Sequence, residues 1–437
     1  MTTQHVTASA DSPSRTGPGR HSAGPVARPA TGPGPISSRH RSLAPDLARG
    51  AMLLFIAVAN VECYLYGRTA GYGYRPVDGG TLDRLADLVV TVFVSERSYP
   101  MFAILFGYGM AVMVRRMTAR GAEPRRARGA LARRGAWLIV FGVVHAALLW
   151  DGDILAVYGA TCLVALSLVH RRRAVLLRWS VPSALVLTAN HVINAIEQSK
   201  PWEREAGPDY LAGVLDRGVG HLLFAVEVVL VIPYIFLLVI GFLVARAGWL
   251  DRPQDHVATL RRVAVTAMVV NLVGGLPHAL TVARLYEPPR PVGIALVIVH
   301  HLVGVFTGLG YLCLFALLAA RLRRVGRSGV VAGVAAVGER SLTCYLLQSM
   351  VFAPLLSAWG FGLGARIGTA QAYAIGVAVW LATVLVAVGL ARAGRRGPFE
   401  VLLRRLTYGR SGHSHPLRLK PRNISAQAVN MTASTEG

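Results

Sequence analysis

The chain has 437 residues, 53% of them hydrophobic and only 16% charged. Its apolar stretches are repeatedly too long for soluble helices, which excludes an ordinary globular domain and points to a polytopic membrane protein. A formal net charge of +24 would suit nucleic acid, but the arginines collect in short segments between apolar runs rather than on one soluble patch; membrane orientation accounts for them, and a nucleic-acid partner is excluded.

Residues 1–40 are rich in Ser, Thr, Pro, Gly and Arg and hold almost nothing able to form a core, which predicts a disordered cytoplasmic tail. No apolar run with a cleavage pattern precedes Arg41, so the first hydrophobic run is expected to act as a signal anchor. The membrane domain is predicted over 41–410. Residues 411–437 read as a second flexible cytoplasmic tail, a placement that would leave the sequons at Asn423 and Asn430 unused.

A backbone in hydrocarbon must satisfy its polar groups internally, which favours helices of about 20 residues. The predicted fold class is therefore an all-α bundle of about ten transmembrane helices. They fall near 47–66, 88–114, 135–150, 154–170, 174–196, 220–244, 263–281, 293–320, 331–355 and 370–391. Basic connections alternate with mixed ones: Arg115 to Arg134, Arg171 to Arg178, Arg246 to Arg262 and Arg321 to Arg327 fall on one side. This alternation predicts a bacterial-type cytoplasmic membrane with both termini cytoplasmic and the bend at Asp151 and Asp153 outside. Cys63, Cys162, Cys313 and Cys344 lie far apart and form no metal or redox spacing, so no metal site is predicted.

Polar groups beside or inside apolar runs are the candidates for function, because lipid tolerates them only when they are paired or wetted. In "HAALLWDGDILAVYG", His145 precedes Asp151 by six positions and Asp153 by eight. A turn directly after Trp150 brings either acid back toward the histidine, as proton transfer or polar-substrate binding requires. A structural role competes: Asp153 can cap the next helix while Gly152 relaxes the bend. Asn60 and Glu62 stand at the outer end of the first span, where Glu62 either reaches the interface or faces inward to a partner. Asp46 and Arg49 sit at its cytoplasmic end, where Asp46 can cap the helix and Arg49 either contacts lipid phosphates or pairs with an acid. Arg97 either fixes an anionic substrate, organises Glu62 or Asp151, or contacts a lipid head group. His191 shares a helix face with Asn194 and Glu197. His300 and His301 lie inside span eight and diverge, so one can line a cavity while the other packs. Tyr345 and Gln348 are three apart on an inward face, expected near the cytoplasmic half of span nine.

The segments "APDLARGAMLLFIAVAN" (44–60), "FAILFGYG" (102–109), "RRGAWLIVFGVVHAALLWDGDILAVYG" (133–159), "GERSLTCYLLQS" (338–349) and "GPFEVLLRRLTYG" (397–409) occur in this order. In this combination the chain resembles the YeiB-like membrane family, whose C-terminal part, here about 230–410, defines the DUF418 domain. By that resemblance Asp46, Arg49, Gly50 and Asn60 occupy the first-helix pattern, and His145 with Gly152 and Asp153 the outer bend. Gly338, Arg340, Tyr345, Gln348 and Ser349 occupy the late-helix signature. Cys344 departs from it, standing where an asparagine often precedes the tyrosine. The family is distantly similar to integral-membrane acyltransferases that modify cell-surface glycans.

The resemblance implies acyl transfer from a donor such as acyl-coenzyme A to an envelope glycan or small hydroxylated acceptor. His145 would be the base, Asp151 or Asp153 its orienter, and Arg97 would stabilise anionic charge. Asn60, Glu62, His191, His300, Tyr345 and Gln348 are the candidate substrate contacts. The sequence has no nucleophile elbow, no Walker lysine and no cofactor fingerprint. A transporter or exporter of a small polar or amphipathic metabolite is the competing class, since polar residues at several helix depths also suit a pathway. Membrane lipids are partners under either reading.

Overall fold

The computed structural model describes residues 42–409 except 201, 204, 206, 208, 232 and 326–328. Both predicted tails lie outside the described residues. Helix dominates, as backbone in lipid demands. The first half of the chain forms α1 (Leu43–Val61), α2 (Thr81–Phe93), α3 (Ser98–Ala119), α4 (Pro124–Leu148), α5 (Leu155–Ala165), α6 (Arg173–Gln198) and α7 (Tyr210–Val231). The second half forms α8 (Ile235–Ala247), α9 (Val257–Val282), α10 (Arg290–Val325), α11 (Gly329–Glu339), α12 (Ser341–Leu356), α13 (Thr369–Arg392) and α14 (Pro398–Tyr408). The two-residue strands β1 (Thr69–Ala70) and β2 (Trp202–Glu203) pair antiparallel, with Thr69 opposite Glu203.

Among the described residues, six helical segments are long and apolar enough to cross a membrane, or up to eight if each bent pair is one span. That supports a polytopic bundle and is fewer than the ten expected. The physical reasons are local. α5 has only 11 residues, and α6 is not among the helices that meet the length and composition requirements. α11 and α12 meet at 88° instead of forming one straight rod. The expected second span falls in one apolar segment, Thr81–Ala119, which still counts as a crossing although it is broken into α2 and α3 at 94–97, where Glu96 adopts φ of 61°.

α1 is a central element, packed against α3, α10, α11, α12 and α13. Gly50 makes this possible: a methyl group there would run into the Val334 carbonyl of α11. The short α14 packs onto the bend between α11 and α12. Its Glu400 accepts the backbone N–H groups of Leu342 at 2.7 Å and Thr343 at 3.0 Å, and the Thr343 hydroxyl at 2.5 Å. These are otherwise orphaned donors in the first turn of α12, and a carboxylate suits them in hydrogen bonding and in sign. The two segments that stand out late in the sequence, "GERSLTCYLLQS" and "GPFEVLLRRLTYG", are thus two halves of one helix cap.

Candidate functional site

The sequence between α4 and α5 is too short to leave the bundle and return, so it folds back on itself. Gly142, about 9 Å before the end of α4 at 1.5 Å per residue, presents no side chain. The Asp153 carboxylate and the first turn of α5 fill that space. Asp153 Oδ1 lies 2.9 Å from His145 Nδ1, and Oδ2 accepts the Ala156 N–H at 2.9 Å. The two roles weighed for Asp153, helix cap and histidine partner, are therefore filled by different oxygens of one carboxylate.

Two further helices converge on this carboxylate. The Tyr345 hydroxyl of α12 donates to Asp153 Oδ1 at 3.3 Å and accepts the Ile154 N–H at 3.4 Å. His221 of α7 brings Nε2 to 3.4 Å from Asp153 Oδ2, an ion-pair distance without hydrogen-bond alignment. His145, Asp153, His221 and Tyr345 are all buried, and Nε2 of both histidines has no hydrogen-bond partner. A carboxylate at Nδ1 keeps the proton there, which leaves Nε2 of His145 as the basic nitrogen.

A second centre surrounds Glu62. Arg75 Nη1 donates to Glu62 Oε1 at 2.5 Å and Nη2 to the Ser95 hydroxyl at 3.0 Å, while its Nε lies 3.7 Å from Asp87 Oδ1. The Tyr373 hydroxyl lies 2.9 Å from Glu62 Oε2 and 3.0 Å from Asp87 Oδ1, so its one proton serves either acid. Arg284 stands 3.6 Å from Asp87 Oδ2. Burial alone would lower the pKa of Arg75, in the loop after α1, but Glu62, Tyr373 and Asp87 outweigh it and hold the guanidinium above its ordinary value.

Arg97 forms a third centre. Its Nε and Nη2 donate to Asn271 Oδ1 at 3.1 and 2.7 Å, and Nη1 lies 2.7 Å from His300 Nε2. Nη1 also donates to the Ser95 carbonyl. The His300 ring packs 4.6 Å from that of His278, and the His301 ring 4.6 Å from that of His191. His191 Nε2 in turn meets the Tyr99 hydroxyl at 3.1 Å.

With this geometry in place, the comparison with known sequences is informative. Residues 244–410 match the family described as "Protein of unknown function (DUF418)". The chain is 28% identical over 397 residues to "Uncharacterized protein YeiB" of Escherichia coli (strain K12), spanning 85% of this chain and 97% of that protein. It is 25% identical over 345 residues to "Uncharacterized protein YxaH" of Bacillus subtilis (strain 168), spanning 73% and 81% respectively. At moderate identity, then, the chain is similar to DUF418 over 244–410 and to YeiB and YxaH over most of its length. The DUF418 match takes in Asn271, His278, His300, Tyr345, Gln348, Tyr373 and Glu400, whereas His145 and Asp153 precede it.

The sequence-derived candidates therefore separate into distinct groups. His145, Asp153 and Tyr345 come together. Asp151 does not join them: it is exposed, because a hairpin this tight can turn only one of its two acids inward. Tyr345 was expected near the cytoplasmic half of its span, away from the outer bend; the fold-back of Asp153 and the right-angled turn before α12 bring the two into contact. Of the three roles open to Arg97, two do not fit: the partner of Glu62 is Arg75, and Arg97 is buried and turns into the bundle toward α9 and α10 rather than to Asp151 or a lipid head group. His300 belongs to the Arg97 centre and His191 to the Tyr99–His301 contact. Gln348 Nε2 donates to the Leu53 carbonyl at 3.2 Å, a helix-to-helix bond. Asn60 is half-buried and joins none of the three centres.

Sequence reasoning missed Arg75, Asp87, Tyr373 and Arg284 as one network, and His221 as a partner of Asp153. Asn271 and His278, two helical turns apart within an apolar run, carried a readable signal, since polar groups at that spacing share a face. Arg75 carried none, because its loop gives no period from which to infer direction.

Proposed function

We propose that the chain is an integral-membrane acyltransferase in which His145 activates the hydroxyl group of an envelope glycan or small acceptor. The observation that carries this reading is the buried His145–Asp153 pair, with Nδ1 held by the carboxylate and Nε2 left without a partner. Nε2 takes the acceptor's hydroxyl proton as its oxygen bonds to the acyl carbonyl carbon of a thioester donor. The carbon–sulfur bond then breaks, and the imidazolium returns the proton to the departing thiolate. Asp153 orients the ring and stabilises its charged form without becoming the nucleophile. Tyr345 and Ala156 position Asp153. Acyl-coenzyme A is the donor class to test first, and membrane lipids are the surrounding partners.

In this proposal ten helices cross a bacterial cytoplasmic membrane with both termini inside, α5 and α6 serving as two of the crossings. Alternation of basic connections supports that count. Transport is the second reading, favoured by the buried polar groups of α2, α9, α10 and α13, among them Asp87, His278, His300 and Tyr373, that stand apart from the His145–Asp153 pair.

One paired assay separates the two. Purified protein is given labelled acyl-coenzyme A and fractionated envelope glycans, and in parallel is placed in proteoliposomes to follow solute flux. Labelled acceptor that disappears with His145→Ala supports acyl transfer. Substrate-dependent flux without a covalent product supports transport and rejects the enzyme reading.

A further inference from the structure

A guanidinium carries five N–H donors and a full charge, and in a bundle interior both must be met by protein groups or by a ligand. Arg75 and Arg284 have their charge met by Glu62 and Asp87. Arg97 is fully buried, yet its hydrogen-bond acceptors are the uncharged Asn271 side chain, the Ser95 carbonyl and the His300 ring. Among the described residues no carboxylate lies within the 4.0 Å that defines an ion pair with it. The adjacent acid, Glu96, faces His301 instead, at 3.6 Å. The left-handed backbone at Glu96, φ 61°, is a conformation that non-glycine residues rarely hold without a compensating reason.

Beside Arg97 and His300 stands His278, 2% exposed, whose Nδ1 has no hydrogen-bond partner. The Tyr72 ring meets the His278 ring edge-on at 6.4 Å. Tyr72 also lines a cavity of about 170 Å³ whose walls include Arg75 and Arg284. Arg75 Nε and Arg284 Nε and Nη2 are buried without hydrogen-bond partners. Unpartnered nitrogens therefore run from the cavity wall to His278, with Tyr72 as the partition between them. Ser95 links the two sides, accepting from Arg75 through its hydroxyl and from Arg97 through its carbonyl.

The geometry points to a binding site for a small oxyanion, a carboxylate or a phosphate, held by Arg97 and His278 and entered past Tyr72 from the cavity lined by Arg75 and Arg284. An oxyanion offers the paired acceptor oxygens that a guanidinium fork and an imidazole N–H can share, and its charge supplies what Arg97 lacks. The site is built on the α2–α3 break, α9 and α10, whereas the His145–Asp153 pair is built on α4, α5, α7 and α12. No hydrogen bond or ion pair among the described residues joins Arg97 to Asp153, so this inference does not rest on acyl transfer.

The test is equilibrium dialysis of the full chain in phosphatidylcholine nanodiscs, which present no anionic head group, against labelled inorganic phosphate and, separately, labelled acetate. The expected result is saturable binding of at least one oxyanion that chloride does not displace, weakened about tenfold or more by Arg97→Gln. Because Arg97 also ties helices together, His278→Phe supplies a second variant, which keeps a ring but removes the donor; weakened binding is expected there too. His145→Ala should bind as tightly as the parent. Phosphate without acetate, or the reverse, identifies the ligand class. Saturable binding of neither anion, undiminished binding in both folded variants, or loss of binding in His145→Ala would overturn the proposal.

Discussion

Gly142→Ala perturbs the His145–Asp153 pair without altering either residue. A β-carbon at position 142 would lie 2.7 Å from the Ala156 β-carbon and would run into both the Asp153 carboxylate and the Ala156 nitrogen. Restoring an ordinary carbon–carbon contact of about 3.7 Å requires α5 to withdraw by roughly 1 Å. That withdrawal stretches the 2.9 Å contact between His145 and Asp153 beyond good hydrogen-bond length. Overpacking costs about 1–3 kcal/mol and a weakened charge-assisted hydrogen bond about 1 kcal/mol more, giving a destabilisation of about 2–4 kcal/mol. Gly389→Ala in α13 is the matched control, since nothing lies within 4 Å of its added methyl group. Thermal unfolding in detergent, read by exposure of the buried Cys162 beside this hairpin, compares the two. A lowered midpoint for Gly142→Ala alone is expected. Equal midpoints would refute the close approach of α4 and α5 on which the candidate site depends.

Other consequences are as direct. Glu400→Ala removes three hydrogen bonds from the first turn of α12 and should destabilise the fold by about 1–2 kcal/mol, with Glu400→Gln milder; equal stability of parent and Ala variant in unfolding titrations would contradict the cap. Glu62→Gln leaves Arg75 short of charge inside the network and should cost about 3 kcal/mol or more, while the same change at the exposed Glu287 should be neutral by the same measurement. Tyr345→Phe removes a donor from Asp153 while keeping the ring, and should reduce any His145-dependent activity more than it lowers the yield of folded protein; unchanged activity would remove Tyr345 from the site. The proposed orientation, with both termini cytoplasmic, expects cysteines introduced at the exposed Asp151 and Arg125 to respond oppositely to an impermeant reagent applied to intact cells: Asp151→Cys labels and Arg125→Cys does not, and the reverse pattern would invert the orientation.

The legible parts of this molecule were those with a period or a short sequence separation. Apolar runs marked most helices, and the eight-residue separation of His145 and Asp153 marked the fold-back, because a chain that reverses so quickly has few places to put an acid. The helix count was harder. α5 is apolar but has only 11 residues, and the right angle between α11 and α12 follows from packing against α1 and capping by Glu400, neither of which is local. The long-range pairs were hidden for the same reason. Arg97 is 174 residues from Asn271, and no periodic pattern states that a basic residue at one helix break will meet an amide at that distance. Cys344 shows a quieter limit. The resemblance leads one to expect an asparagine here and so suggests lost polar chemistry, yet its thiol lies in the core, 3.9 Å from the Thr383 carbonyl, beside the tyrosine that reaches Asp153 rather than in contact with that acid.

The most direct test of the His145–Asp153 centre is a single-turnover measurement of acyl transfer by protein in nanodiscs, with labelled acyl-coenzyme A and a glycan acceptor, comparing parent, His145→Gln and Asp153→Asn proteins of equal folded yield. General-base catalysis predicts that His145→Gln slows product formation by about a hundredfold or more, with Asp153→Asn also strongly impaired because the ring loses its orienting carboxylate. Product formed at the parent rate by His145→Gln would contradict the account.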